Sequence, residues 1–234
     1  MNIIKSEDKL LPTQKYFSYL FKEPSKYLSS IYNLLNIFNH QYHYSKFILH
    51  SPSNVTIEEM STPPAQLSLM CFLIQITRSK KILEIGTFIG NTTMHLSDAA
   101  GEGSLVTTIE YGKDFFEIAK NNFIQNNCLK KIRPLHGDAG IILKNLEGEK
   151  FDLIFVDGSK ENYLDFSLKS EKLLSENGLI LVDDAFFHGD ALNISPSTIK
   201  GIGCKKLLEH YAERHDMCVS LLPIFNGILL VAKK

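Results

Sequence analysis

The 234 residues contain no Trp and only 4 Cys, and the charge leans to neither sign. Lys and Arg total 25 against 26 for Asp and Glu, a formal net charge of −1. That balance argues against a strongly basic surface that binds nucleic acid by neutralising phosphates. It leaves room for a local charged site. None of Cys71, Cys128, Cys204 and Cys218 forms a Cys-x-x-Cys pair, and a chain this long needs no disulfide staples, so a reducing compartment is expected. No run approaches the roughly 20 apolar residues that span a bilayer. The longest apolar window, 67–76, is interrupted by Ser68 and Gln75. Residues 1–11 mix Lys5, Glu7, Asp8 and Lys9 without an apolar core, so no secretory signal is read there. A cytoplasmic protein with no membrane or nucleic-acid partner is the expectation.

What is present is an ordinary globular composition, 44% hydrophobic and 22% charged, long enough for one large domain. Composition shifts near residue 60. Residues 16–44 are rich in Tyr, Phe, Leu and Asn and read as two amphipathic helices, about 13–23 and 25–42, with Pro24 starting the second. Residues 1–60 are therefore expected to form a helical extension and 61–234 the main domain. A helix over about 64–78 starts on Pro64. After residue 80 short apolar runs alternate with amphipathic stretches. Strands are expected at Lys81–Ile85, Ser104–Ile109, Ile132–Leu135, Phe151–Val156 and Leu179–Val182. Helices are expected at about 91–99, 113–127, 139–146, 161–174 and 197–214, with Asn91 and Asp114 as N-caps. Such alternation means a parallel sheet covered on both faces. Val219–Leu222 and Gly227–Val231 read as a closing hairpin with the last strand antiparallel at that edge. The fold class expected is α/β: a doubly wound, Rossmann-like sheet of seven strands, six parallel and one antiparallel.

Ligands of open parallel sheets sit at the carboxyl ends of the strands. The first strand ends Leu83-Glu84-Ile85-Gly86-Thr87-Phe88-Ile89-Gly90-Asn91-Thr92. Its glycine spacing is not the Gly-x-Gly-x-x-Gly of dinucleotide sites, and Glu84 would repel a pyrophosphate. A ligand carrying positive charge fits better, and S-adenosylmethionine has an ammonium and a sulfonium. The plainer alternative is a tight turn with a solvated Glu84. The second strand ends in Glu110, 26 positions later, where a carboxylate can accept from both ribose hydroxyls or simply face solvent. Asp138 can accept from an adenine amino group beside the Ala139 amide, or cap a helix, or do both. The fourth and fifth strands end in Asp157-Gly158-Ser159-Lys160 and Asp183-Asp184. Each Asp alone reads as a helix cap. Three in one volume repel unless a cation intervenes, and a hard divalent ion suits oxygen-only ligands.

Leu83-Glu84-Ile85-Gly86-x-x-x-Gly90, Phe155-Val156-Asp157-Gly158-x-Lys160-x-x-Tyr163 and Val182-Asp183-Asp184 together resemble the cation-dependent O-methyltransferases of the catechol and caffeoyl-CoA type. The likeness spans roughly 58–234 and takes in Met60-Ser61-x-Pro63-Pro64-x-Gln66 and the closing Leu222-Pro223-Ile224-x-Asn226-Gly227 segment. It implies metal ligation by Asp157, Asp183 and Asp184, with Mg2+ as the expected ion and Ca2+ or Mn2+ as alternatives. It implies S-adenosylmethionine contacts from Met60, Ser61, Thr62, Glu84, Gly86, Thr87, Gly90, Thr92, Glu110, Tyr111, Asp138, Ala139 and Asp157. Lys160 matches the lysine held to be the general base, with electrostatic stabilisation of the anionic acceptor oxygen as its alternative role, and Tyr163 reads as structural. Phe187, His188 and Asn226 fall at the substrate side. Two departures stand out. Asp184 replaces the usual Asn and adds a negative charge. Phe187 stands where Trp is frequent and offers less stacking surface.

The activity implied is methyl transfer to a hydroxyl of a small aromatic acceptor with vicinal oxygens, of catechol or caffeoyl type. Other small-molecule hydroxyls and a nucleotide-dependent oxidoreductase are the competing readings. A nucleic-acid or protein N-methyltransferase is disfavoured by Asp157-Gly158-Ser159-Lys160 where Asn/Asp-Pro-Pro-Tyr is common. His40, His43 and His50 lack accompanying carboxylates and read as surface or interface groups, while His188 sits near the substrate side. Relatives are commonly dimers, and the aromatic helices before residue 45 supply a homodimer interface.

Overall fold

The computed structural model describes residues 60–234. The expected helices at 13–23 and 25–42, the 1–60 extension, the three histidines before residue 51 and the homodimer surface all lie outside the described residues. From Pro64 the order is α1 (Pro64–Thr77), β1 (Lys81–Ile85), α2 (Asn91–Ala100), β2 (Leu105–Glu110), α3 (Lys113–Gln125) and β3 (Ile132–His136). It continues with α4 (Ala139–Asn145), β4 (Phe151–Val156), α5 (Tyr163–Leu173), β5 (Leu174–Val182), α6 (Ile199–Ala212), β6 (Met217–Leu222) and β7 (Ile228–Lys233). Among these residues no helix is long and apolar enough to cross a membrane.

The strands form one seven-stranded sheet in the order β3-β2-β1-β4-β5-β7-β6. β7 pairs antiparallel with both β5 and β6, and the other pairs are parallel. The expected count and the single reversed strand hold. The reversed strand is not at the edge, however. It inserts between β5 and β6, which leaves β6 outermost. The side chains explain this. Ile228, Leu229 and Val231 of β7 are buried, whereas Cys218, Ser220 and Leu221 of β6 are exposed, so the apolar strand takes the interior place.

Alternation along β1 shows how the sheet feeds two cores. Leu83 and Ile85 pack with Tyr163, Phe166 and Leu207 on the α4–α6 face. Ile82 packs with Met70, Met94 and Phe123 on the α1–α3 face. Each such fully buried side chain contributes about 1.5–3 kcal/mol. Glu84 has the same parity as Ile82, so its carboxylate points under α2 and not into solvent.

Three local expectations are corrected. β5 begins at Leu174, not Leu179, because α5 runs directly into it. Leu174 pairs with Phe151 and Leu179 with Leu153, and the polar Ser175–Gly178 stretch is accommodated by an irregularity. α2 and α3 are capped by Gly90 and Gly112. Asn91 and Asp114 lie inside the first turns, where Asp114 still complements the helix dipole. Asp138 does cap α4, its Oδ1 accepting from the Ile141 N–H at 3.0 Å.

Candidate active site

The turn after β1 is built around Gly86, at φ 100°. Its N–H donates to the Ile109 carbonyl at 2.9 Å, and a Cβ there would lie 2.2 Å from the Asp157 carbonyl oxygen. The Asp157 N–H donates back to the Ile85 carbonyl at 2.8 Å. The tip of β4 is thus seated against the glycine turn, and only a residue without a side chain permits it. Glu110, at the end of β2, fastens the same turn. Its Oε2 accepts from the Thr87 and Phe88 N–H groups at 3.1 and 2.8 Å, and its Oε1 from the Gly112 N–H at 2.8 Å. Both oxygens retain further acceptor directions.

Glu84 is fully buried at 0% exposure, so the solvated-turn alternative is excluded. Its Oε2 accepts from the Thr93 and Thr108 hydroxyls, the latter at 2.6 Å, while Oε1 has no hydrogen-bond partner among the described residues. Burial pushes this carboxyl up to about 8, the two threonines pulling the other way. An orphaned buried acceptor beside a glycine turn suits a cationic ligand. Thr87 is also buried and turned inward, its hydroxyl 2.6 Å from that of Thr108. Thr92, in the first turn of α2, pairs with the Thr62 hydroxyl at 2.8 Å. That contact ties the Met60–Thr62 segment to the turn. At the far side Tyr111 is 76% exposed, Asp138 is exposed and Ala139 half-buried.

Asp157 and the β5 end carry the acidic group. Asp183 is 7% exposed, and its Oδ1 accepts from the Asp184 N–H at 2.7 Å. Asp184 itself holds φ at 49°, a conformation Asn and Asp tolerate better than most. The Lys160 Nζ lies 2.9 Å from Asp184 Oδ2 and 3.3 Å from Asp157 Oδ1, above the Tyr163 ring at 5.4 Å. Burial pushes Asp183 up to about 8, with Asp157 and Asp184 adding to it, and Asp157 up to about 6, against the pull of Lys160. Burial also works against the Lys160 ammonium, but Tyr163, Asp157 and Asp184 outweigh it and hold the amine charged. The arrangement as it stands pairs the Lys160 ammonium with two carboxylates. Among the described residues no three carboxylate, histidine or cysteine groups converge as a ready metal centre. Asp157, Asp183 and Asp184 are brought together, with Lys160 against two of them.

The segment after β5 forms a wall. The Ala185 and Phe186 N–H groups donate to the Gly227 and Asn226 carbonyls at 2.9 and 2.6 Å. Asn226 therefore enters the site region through its main chain. Phe187 is half-buried, with the Lys200 Nζ 5.8 Å from its ring centre, and His188 is exposed beside it at 5.3 Å.

Four contributors escape a reading of the residues alone. Thr93 and Thr108 hold Glu84, and the signal for Thr108 was a hydroxyl inside an otherwise buried strand. Gln66, 1% exposed, sets its amide beside the Asp183 carboxyl and draws that pKa down without closing a hydrogen bond of normal geometry. Its place in the Met60–Gln66 motif was the available hint. Asp190, one residue beyond Gly189, anchors the wall through Ser197 and Thr198, whose donors hold its carboxyl well below the usual range.

A sequence profile of O-methyltransferases matches residues 41–234. The chain belongs to the O-methyltransferase family. Relatives include the O-methyltransferase ankF of Aspergillus thermomutatus, 30% identical over 73% of this chain and 78% of that protein. A probable caffeoyl-CoA O-methyltransferase of Dictyostelium discoideum is 27% identical over 80% and 84%. The fold is similar to that of a Podospora anserina methyltransferase, PaMTH1, solved with S-adenosylhomocysteine, with a TM-score of 0.74 at 24% identity over 97% of this chain and 99% of that one.

Proposed function

We propose that this O-methyltransferase moves a methyl group from S-adenosylmethionine to a hydroxyl of a small aromatic acceptor with vicinal oxygens, assisted by a divalent cation, Mg2+ first among candidates. One observation carries the reading: the Asp157 backbone is locked to the Gly86 turn while its carboxylate faces Lys160 and Asp184. Cofactor turn and acidic group share one residue, so a methyl donor held at the first lies next to an acceptor held at the second.

The donor set suits the cation. Asp157, Asp183 and Asp184 offer oxygen-only donors at one place, and Lys160 pairs with only two of them, Asp157 and Asp184. Bound to these oxygens, the cation would hold the acceptor's two oxygens and lower the pKa of the attacking one. S-adenosylmethionine supplies the electrophilic methyl. The protein's own part is orientation and charge. Glu84 offers its unpaired Oε1 to a cationic group. Glu110 keeps the turn closed and offers acceptors to ribose hydroxyls. Lys160 stabilises the acceptor oxygen in its anionic form. Phe187 gives the acceptor ring an apolar face. Holding the two reactants in attack geometry supplies the rest.

The test is a methyl-transfer screen over catechols, caffeoyl esters and flavonoids, with EDTA and with Mg2+. Transfer to vicinal diols should fall to background in EDTA and return with Mg2+. Transfer that is indifferent to EDTA sinks the cation reading, and a strict preference for isolated hydroxyls sinks the acceptor reading. A second expectation concerns Glu110→Ala, which releases three N–H groups of the turn. The dissociation constant for S-adenosylmethionine by calorimetry should rise at least tenfold, about 1.4 kcal/mol.

A further inference from the structure

One carboxylate gathers the start of α6. Asp190 sits in the short 3-10 turn after the Phe187 wall. Its Oδ1 accepts from the Ser197 N–H and hydroxyl at 2.8 and 3.0 Å, and its Oδ2 from the Thr198 N–H and hydroxyl at 3.0 and 2.7 Å. Thr198 passes the restraint on as N-cap of α6, its Oγ1 accepting from the Gly201 N–H at 2.9 Å. There is no slack in this corner. A Cβ on Gly201 would lie 2.0 Å from Asp190 Oδ2, and one on Gly203 would lie 2.3 Å from the Lys160 carbonyl oxygen. The opening of α6 is therefore wedged between Asp190 and the Lys160 main chain. Toward the wall, the Asp190 and Ala191 N–H groups donate to the Phe187 and Phe186 carbonyls at 3.0 and 3.2 Å.

We propose that Asp190 is a positioning residue for methyl transfer: by clamping the start of α6 it seats Gly203 on the Lys160 main chain and fixes the Phe187 wall. It touches no reacting atom and works through those two contacts. The carboxylate is suited to this because all four close donors point at it and it offers only acceptors. An amide of the same shape would turn an NH2 group toward two donors, so Asp190→Asn breaks half the clamp with little change in volume.

The experiment compares the full-length parent with Asp190→Asn, Thr198→Ser, Thr198→Val and Gly203→Ala. Asp190→Asn should lower kcat/KM for the best acceptor of the screen at least tenfold, with S-adenosylmethionine affinity by calorimetry within twofold. Amide exchange should quicken at residues 160–163 and 187–190 but not along β1 and β2. Thr198→Ser, which keeps the hydroxyl, should stay near the parent, and Thr198→Val should follow Asp190→Asn. Gly203→Ala displaces the lysine from the α6 side and should lower kcat with Asp190 intact. Unchanged exchange at 160–163 overturns the coupling. So does cofactor affinity falling in step with kcat/KM, which means general loosening, or kcat/KM within twofold of the parent. The kinetic arm rests on the acceptor reading above. If the parent turns over none of the acceptors, that reading fails, and the exchange arm still decides the clamp.

Discussion

Lys160→Met is expected to lower kcat by roughly two to four orders of magnitude, the usual range for losing a positioned group at the reacting atom, while S-adenosylmethionine binds as before. Every described polar contact of the Lys160 ammonium is on the acidic side: Asp184 at 2.9 Å, Asp157 at 3.3 Å and the Tyr163 ring. None reaches the Gly86 turn or Glu110, so cofactor affinity should move less than twofold by calorimetry. Stability responds as well. The side chain is 13% exposed, and its removal leaves Asp157 and Asp184 facing each other without a counter-ion. Stranding a buried charge costs about 3–5 kcal/mol when nothing relieves it. Both carboxylates are partly reachable by water and Asp157 is already pushed toward protonation, so the loss should be smaller. Adding Mg2+ should recover part of the Tm of the variant but not its kcat. Arg at this position should not restore the rate, because a planar guanidinium presents its donors in a different geometry from a compact ammonium. A Lys160→Met enzyme within threefold of the parent across the pH range would remove the lysine from the chemistry.

Much of the scaffold is legible because buried parallel strands announce themselves as apolar runs with fixed punctuation. The apolar runs Lys81–Ile85 and Phe151–Val156 coincide residue for residue with β1 and β4. What failed did so where context overrides local pattern. Ser175–Gly178 is too polar to read as strand, yet pairing with β4 resumes on either side of it. β7 lies inside the sheet because its buried residues need two neighbours, a competition between strands that no single stretch displays. In the site, strand ends delivered the right neighbourhood, since topology alone brings Glu84, Glu110, Asp157 and Asp183 to one edge. The state of each group was not legible. Glu84 reads as facing a cationic ligand or as a solvated acid, and its full burial emerges only with Thr93 and Thr108, 9 and 24 positions away, which hold it. That Lys160 pairs with Asp184 as well as Asp157 is likewise a matter of how the β4 and β5 ends meet, which neither stretch displays. The clamp on α6 depends on Asp190 meeting residues 7 and 8 positions later across an irregular loop, where no periodicity guides the eye.

The second large effect belongs to Gly86→Ala, which should cost at least about 3 kcal/mol of stability, in the range reserved for a buried steric conflict, and abolish cofactor binding with it. Two penalties combine. At φ 100° an alanine is strained whatever the space around it. Its Cβ would also lie 2.2 Å from the Asp157 carbonyl oxygen, 2.8 Å from the carbonyl carbon and 3.3 Å from the Gly158 nitrogen. All three are main-chain atoms, so no side-chain rotation relieves the overlap. Either the turn or the end of β4 must move. The turn is held by Glu110 through Thr87 and Phe88, and β4 by Ile85 and β5, so movement breaks hydrogen bonds on one side or the other. Because Asp157 also faces Lys160, displacing it should damage the acidic group along with the cofactor turn. Gly103→Ala separates the two penalties. Gly103 also has a positive φ, 73°, but a Cβ there meets nothing within 4 Å, so it should lose only the conformational part, about 1 kcal/mol. Urea unfolding of both variants reads the difference from midpoints at constant m. Equal losses would mean the contact between the β1 turn and the tip of β4 has room to spare, and the coupling of methyl donor to acidic group through Asp157 would lose its structural basis.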